Sequence, residues 1–168
     1  MGDRQRLCLL QRRFAAVMSQ LNPVNKSLCL EQVCAANYQK LLRLIPDLLN
    51  YRDTATGLAE GSSTLHLEVL ERSPYTLTIL LSHSFKKNLE EFLEPAVTIR
   101  LYLDLRLAEV ISDHARAAVA KVYKDPGLSL EIMNYKWRLN YFLQKWLDHC
   151  LNKNYRFRTE TLRTIAIA

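Results

Sequence analysis

Glycine is scarce in this chain, with four in 168 residues. A phosphate-cradling loop needs closely spaced glycines so that backbone N–H groups can approach the ligand, and neither a P-loop nor a G-x-G-x-x-G fingerprint is written. The G-x-S-x-G and H-E-x-x-H motifs of hydrolases and zinc proteases are absent too. No apolar run approaches the roughly 18 residues needed to span a bilayer. The apolar run Leu7 to Leu10 is too short for a secretory signal and is broken by Arg12 and Arg13. Its Arg-rich amphipathic surroundings imitate a mitochondrial presequence, so this segment alone does not fix a compartment. Cysteine is limited to Cys8, Cys29, Cys34 and Cys150, with no C-x-x-C spacing. Thiols on apolar stripes at such spacing read as reduced core residues, and the expected location is the cytoplasm.

Charge is plentiful but unevenly distributed. The formal net charge of +6 is made of +4 over residues 1–27, −4 over 28–115 and +6 over 116–168. A basic final third suits a nucleic acid, a nucleotide or an acidic partner. It equally complements the acidic middle of its own chain or of a second copy.

Periodicity supplies the elements. Leu7, Leu10, Phe14, Val17, Met18 and Leu21 recur at helical spacing until Asn22 and Pro23 end the pattern. A second helix is expected over 28–45, with Leu30, Val33, Cys34, Tyr38, Leu41, Leu42 and Ile45 apolar and Pro46 as its boundary. The polar run 52–63 reads as a loop. Two strands follow, TLHLEVL and YTLTILLSH, whose apolar faces coincide if an odd number of residues is left unpaired between them, for example with Val69 opposite Tyr75.

In VTIRLYLDLRLAEVI, residues 97–111, the alternation changes phase: Val97, Ile99, Leu101 and Leu103 share one parity, Ala108 and Val110 the other. A hairpin turning at Asp104-Leu105 resolves this, with Leu101 facing Ala108, Ile99 facing Val110 and Arg100 facing Glu109. Asp-Leu lacks the glycine of a two-residue type I′ turn, so a four-residue loop is expected. FKKNLEEFLEP reads as a short helix ending before Pro95, and 113–130 as a helical turn or a fifth strand near 119–123. Over 131–152, Ile132, Tyr135, Leu139, Phe142, Leu143, Trp146 and Cys150 form one stripe of a long helix. The tail KNYRFRTETLRTIAIA is expected to be mobile.

Four stretches together resemble a known family. They are C-x-x-N-Y-x-x-L-x-x-L-I-P (Cys34, Asn37, Tyr38, Leu41, Leu44, Ile45, Pro46), the pair Tyr75-Thr76, R-L-Y-x-D-x-x-x-A-E-V (Arg100 to Val110), and L-N-x-F-L-x-x-W-L-x-x-C-L (Leu139 to Leu151). In this order they resemble the YqiB-like proteins, a proteobacterial family of unknown function. The resemblance covers roughly residues 30 to 152. It implies a small bacterial cytosolic protein and no particular reaction. Leu105 departs from the family pattern, which has a small residue after the aspartate.

Candidate sites follow from residue types in place. Asn37 lies within an apolar stripe, so its amide is expected to tie the helix to a sheet or loop backbone. Arg100, Tyr102 and Glu109 cluster on the second face of the hairpin and form the candidate ligand site, since guanidinium is a planar donor fork for phosphate or carboxylate. The simpler expectation for Arg100 and Glu109 is a cross-strand ion pair. Trp137 and Tyr141 lie nearly opposite the main stripe of the last helix, beside Arg138 and Lys145. These four are the candidate partner-binding residues, as interface anchors or as a stacking platform for bases. The alternative is that one of the first two helices covers the two rings. His66 and His83 fall on opposite strand faces, and His149 diverges from Cys150, so no metal site, cofactor or catalytic set is expected.

The expected architecture is therefore α+β: an antiparallel meander of four or five strands, with N-terminal and long C-terminal helices packed on one face. Residues 1–27 read as a helical extension, 28–152 as one domain and 153–168 as a basic tail. The leading expectation is a non-catalytic binding or adaptor protein acting on a protein partner or on a second copy of itself as a homodimer. The alternative is a nucleotide- or RNA-binding regulator that uses the basic and aromatic surface, and an enzyme on a nucleotide-like substrate ranks third.

Overall fold

The computed structural model describes residues 25–87, 90–113 and 129–159. The expected helix over 7–21, Cys8 and the region 114–128 lie outside the described residues. Helix α1, Lys26–Leu44, starts at Asn25, whose side-chain oxygen accepts from the Leu28 N–H at 3.2 Å. Its buried side is Val33, Cys34, Asn37, Tyr38, Leu41 and Leu44, a helical stripe that includes one amide. Ile45 N–H still reaches the Leu41 carbonyl at 2.8 Å, and Pro46 can offer no further donor.

Five strands then run as an antiparallel meander: β1 Thr54–Leu58, β2 Thr64–Arg72, β3 Thr76–Lys87, β4 Glu90–Tyr102 and β5 Leu107–Asp113. Helix α2, Ser129–Leu151, follows, and β6, Arg156–Thr159, returns to the sheet beside β1. The order across the six-stranded sheet is β5-β4-β3-β2-β1-β6.

The β4–β5 hairpin has the register its phase change requires. Ile99 pairs with Val110, Arg100 with Glu109, Leu101 with Ala108 and Tyr102 with Leu107, leaving the four residues 103–106 as the loop. Arg106 in that loop has φ 55, a left-handed conformation that closes the turn without glycine.

Between β2 and β3 the apolar faces coincide, but not through Val69 and Tyr75. Val69 pairs with Ile79, and the strands run on to Arg72 opposite Leu77, over an even-numbered connection. An even connection would set the apolar parities against each other. A bulge between Val69 and Glu71 adds one residue and restores the match. It also turns Glu71 to the side of Thr78, away from the apolar face.

Three expectations are corrected. The sheet has six strands, since 52–63 contains β1 and part of the supposedly mobile tail forms β6. The two strands explain each other. A Cβ on Gly57 would lie 2.7 Å from the Phe157 ring, so β1 looks like a loop in sequence because it must leave a slot for one aromatic of β6. The segment read as a helix before Pro95 instead continues β3 and β4, with Phe85 opposite Phe92, Lys86 opposite Glu91 and Lys87 opposite Glu90. Opposite charges and aromatics placed in cross-strand register support a hairpin as well as their i, i+4 spacing supports a helix. Pro95 falls where the β3–β4 register shifts, the kind of irregularity that tolerates its missing N–H.

One buried cluster joins Leu41, Leu44, Ile45 and Leu48 with Leu143, Trp146, Leu147 and Cys150 and with the inward strand residues Leu65, Leu67, Leu77, Ile79, Leu81, Ile99 and Leu101. The helices meet at Lys26 with Asn134, Asn37 with Asn140, and Lys40 with Asp148 at 2.6 Å. Both numbers rise together, so α1 and α2 run parallel. Replacing Gly57 with alanine is expected to destabilise the protein and to detach β6. The double variant Gly57→Ala/Phe157→Ala should recover part of the loss relative to Gly57→Ala, read as urea midpoints. Simple additivity of the two changes would show that the ring does not occupy the Gly57 slot.

Candidate functional site

The polar groups of the interior begin with two amides. Asn37 Nδ2 of α1 donates to the Asn140 carbonyl of α2 at 3.0 Å. Asn140 Oδ1 in turn accepts the Val110 N–H of β5 at 2.9 Å, and its Nδ2 donates to the Lys136 carbonyl at 2.9 Å. Asn37 thus ties its helix to another helix rather than to a sheet or loop, and Asn140 completes the link to the sheet. The sequence reading missed Asn140. Its signal is the spacing Asn140, Leu143, Leu147, which puts an amide on a stripe that is otherwise apolar. Beside this link Lys136 Nζ meets Glu109 Oε1 at 2.6 Å. Burial pushes the neighbouring Cys34 thiol up to about 12, with Glu109 adding to the rise and Lys136 opposing it. Cys150, also buried, is pushed up to about 12 as well. Burial thus favours the protonated thiol at both positions and disfavours a nucleophilic thiolate.

The candidate ligand site is rearranged. Arg100 and Glu109 are register partners, but the ion pair between them is replaced by two others. Arg100 reaches Glu71 Oε2 at 3.7 Å and donates from Nε to Thr78 Oγ1 at 3.3 Å, while Glu109 is held by Lys136. The long guanidinium arm extends across β3 to the carboxylate that the bulge has turned outward, and α2 brings a lysine to the edge strand. Tyr102 lies on the same strand face, opposite Thr76 and Leu107. Arg100 and Tyr102 therefore share a face, and Glu109 is engaged elsewhere.

The candidate partner-binding residues divide as well. Trp137 and Tyr141 are 8% and 5% exposed, and form a small cluster with Val33 and Cys29 of α1. Their rings stack with centroids 5.5 Å apart, and Lys145 Nζ sits 5.3 Å from the centre of the Tyr141 ring. Arg138 is exposed. A partner reaching the two rings would have to displace α1.

The histidines lie on opposite faces. His66 Nε2 is 2.7 Å from Ser84 Oγ, the spacing of a nucleophile and its base, but Ser84 is only 3% exposed and a buried hydroxyl is closed to substrate. His83 lies in the core. Trp146 Nε1–H donates to His83 Nδ1 at 3.2 Å, which places the neutral ring's proton on Nε2, 3.3 Å from the Tyr155 hydroxyl. Tyr155 donates onward to the Ser63 carbonyl at 2.7 Å. Burial, with His149 and then His66 adding to it, lowers His83 to about 4. No three His, Cys, Asp or Glu side chains gather into a metal-ligating group among the described residues, and no described helix is long and apolar enough to cross a membrane.

Three of the seven exposed large apolar side chains among the described residues show a feature the sequence reading did not single out. Leu70, Tyr75 and Leu105 are 46%, 69% and 63% exposed. All belong to one end of the sheet, where the Leu103 N–H donates to the Tyr75 carbonyl at 2.9 Å and fastens the β4–β5 turn to the β2–β3 turn. Arg72, Asp104 and Arg106 surround them in sequence. The available signal was the placement of large apolar residues at turn positions, where burial is difficult.

Asn140→Ala should cost roughly 1 to 3 kcal/mol, because the buried Val110 N–H loses its acceptor. A loss within error of zero would show that the amide link is not structural. For His83, the unfolded chain binds a proton near 6.5 and the folded chain only near 4. Stability is therefore fully present above 6.5, falls as pH drops between those values, and levels off below the lower one. At about 1.4 kcal/mol per pH unit the loss approaches about 3 kcal/mol. Urea unfolding at pH 7 and pH 4.5 should show a smaller drop for His83→Gln than for the wild type, and equal drops would refute the assignment.

Comparison with known proteins agrees in extent with the described domain. The chain is 27% identical over 124 residues to "Uncharacterized protein YqiB" of Escherichia coli strain K12, covering 71% of this chain and 84% of that protein. The proteins of the same description from E. coli strain CFT073 and E. coli O157:H7 match to the same degree. No solved structure matches. The family described as "Protein of unknown function (DUF1249)" matches residues 40–156, from the second half of α1 through the first residue of β6, and the chain belongs to that family.

Proposed function

We propose that this is a non-catalytic cytoplasmic binding protein, whose docking surface for a partner protein is the turn end of the sheet. The observation that carries the reading is the exposure of Leu70, Tyr75 and Leu105 at two turns joined by the Leu103 to Tyr75 hydrogen bond. Large apolar side chains gathered at one end of a domain have little to contribute to its own core, and a tyrosine among them is a frequent interface anchor. The surrounding charges, Arg72, Asp104 and Arg106, suit the polar rim of such an interface.

The buried position of Trp137 and Tyr141 weighs against α2 and favours the turns as the docking surface. Chemistry has weaker support, because burial favours the protonated form of the Cys34 and Cys150 thiols and Ser84 is buried. The test is the double substitution Tyr75→Ser/Leu105→Ser in the full chain. In-cell cross-linking of the wild type should give a discrete adduct that the double variant loses, with truncation of the tyrosine anchor costing roughly 2 kcal/mol of binding. An unchanged adduct pattern, with unchanged thermal unfolding, would remove the turn end as the docking surface. Light scattering on the purified chain separates self-association from a different partner.

A further inference from the structure

At the other side of the sheet from the helix-linked edge lies β6, with the sequence RFRT. Among the described residues it has a strand on one side only: Leu58, Gly57, Thr56 and Ala55 of β1 pair with Arg156, Phe157, Arg158 and Thr159. Phe157 fills the Gly57 slot, where a Cβ would come within 2.7 Å of the ring. That fixes which way the strand alternates. Arg156 and Arg158 are therefore held on the opposite face, both exposed, about 6.6 Å apart by strand geometry. Among the described residues neither guanidinium takes part in an ion pair. Tyr155, anchored to Ser63, fixes the entry to the strand.

The geometry points to the outer edge of β6 as a site for strand addition by an acidic extended peptide. An incoming strand would pair its backbone with the edge of β6 that no described strand covers and set carboxylates of alternate residues across from Arg156 and Arg158. The same arginines oppose the other obvious occupant, since β6 pairing with β6 of a second copy would bring like charges together across the new ladder. Single-stranded nucleic acid is less well served, because the neighbouring described residues of this face are Leu58, Thr56, Thr64 and His66, which form no large aromatic platform. The site is separate from the apolar turn end and stands or falls without it.

The experiment is fluorescence anisotropy on the full chain at low and moderate salt with a labelled octapeptide of alternating glutamate and threonine. Three further probes accompany it: a fully N-methylated version, which keeps its carboxylates and loses every backbone donor, an alternating lysine and threonine peptide, and oligouridylate. The acidic peptide should bind saturably and more weakly as salt rises. Binding should fall at least tenfold on N-methylation and at least tenfold in Arg156→Glu/Arg158→Glu, which should in turn prefer the lysine peptide. Absence of saturable binding at low salt overturns the proposal, as does indifference to N-methylation, a result obtained on the wild type and so independent of how the variant folds. Tighter binding of oligouridylate, lost in the same variant, overturns it in favour of a nucleic acid surface.

Discussion

A single buried amide holds the three parts of this fold in relation to one another. Asn140 accepts a backbone N–H from β5 through its side chain and a side-chain N–H from α1 through its carbonyl, and it is itself part of α2. A helical carbonyl has a second lone pair available after its own i+4 bond, and Asn37 uses that spare capacity. Each such bond adds only about 1 kcal/mol net, whereas a buried donor left without an acceptor costs more, so the amides select an arrangement more than they add stability. Apolar side chains can slide over one another with small loss. A hydrogen bond from Val110 to one particular atom on α2 cannot.

That arrangement sorts the sheet into unlike edges and unlike faces. The β5 edge is occupied, with Asn140 at its backbone and Lys136 at Glu109. The inner face carries the leucines and isoleucines of the core. The outer face carries a row from Glu71 through Thr78 and Arg100 to Glu109, which exists only because a bulge turns Glu71 outward. Small hydroxyls occupy its centre, with Thr78, Ser82, Ser84 and Thr98 all buried.

What could be read from the sequence was whatever depends on parity and period. The β4–β5 register followed from a change of phase between Leu101 and Ala108, because a strand exposes alternate residues and tolerates no other solution. The two long helices were visible for the same reason at period 3.6. What escaped depended on contacts remote in sequence. β1 contains Gly57 where a core strand would have a branched residue, and the ring that justifies it is Phe157. The segment 85–95 offers charges at helical spacing and at hairpin register alike, and only its neighbours in the sheet decide between them. The Arg100–Glu109 pairing was predicted correctly for the backbone and wrongly for the side chains, since register sets where an arginine starts and not where its long arm ends. The family resemblance read from Cys34 to Leu151 holds, and it brought no chemistry with it.

Phe157 and the slot at Gly57 are separated by a hundred positions of chain. During synthesis, β2 can pair with β1 as soon as it emerges, while the other side of β1 must wait for nearly everything between, including β3 to β5 and α2. For that interval the growing protein displays a bare edge of its own. β1 is only five residues long, and its inward positions are Ala55 and Gly57, residue types of low strand propensity that template unwanted pairing poorly. The small side chains that admit Phe157 late also make the wait safer.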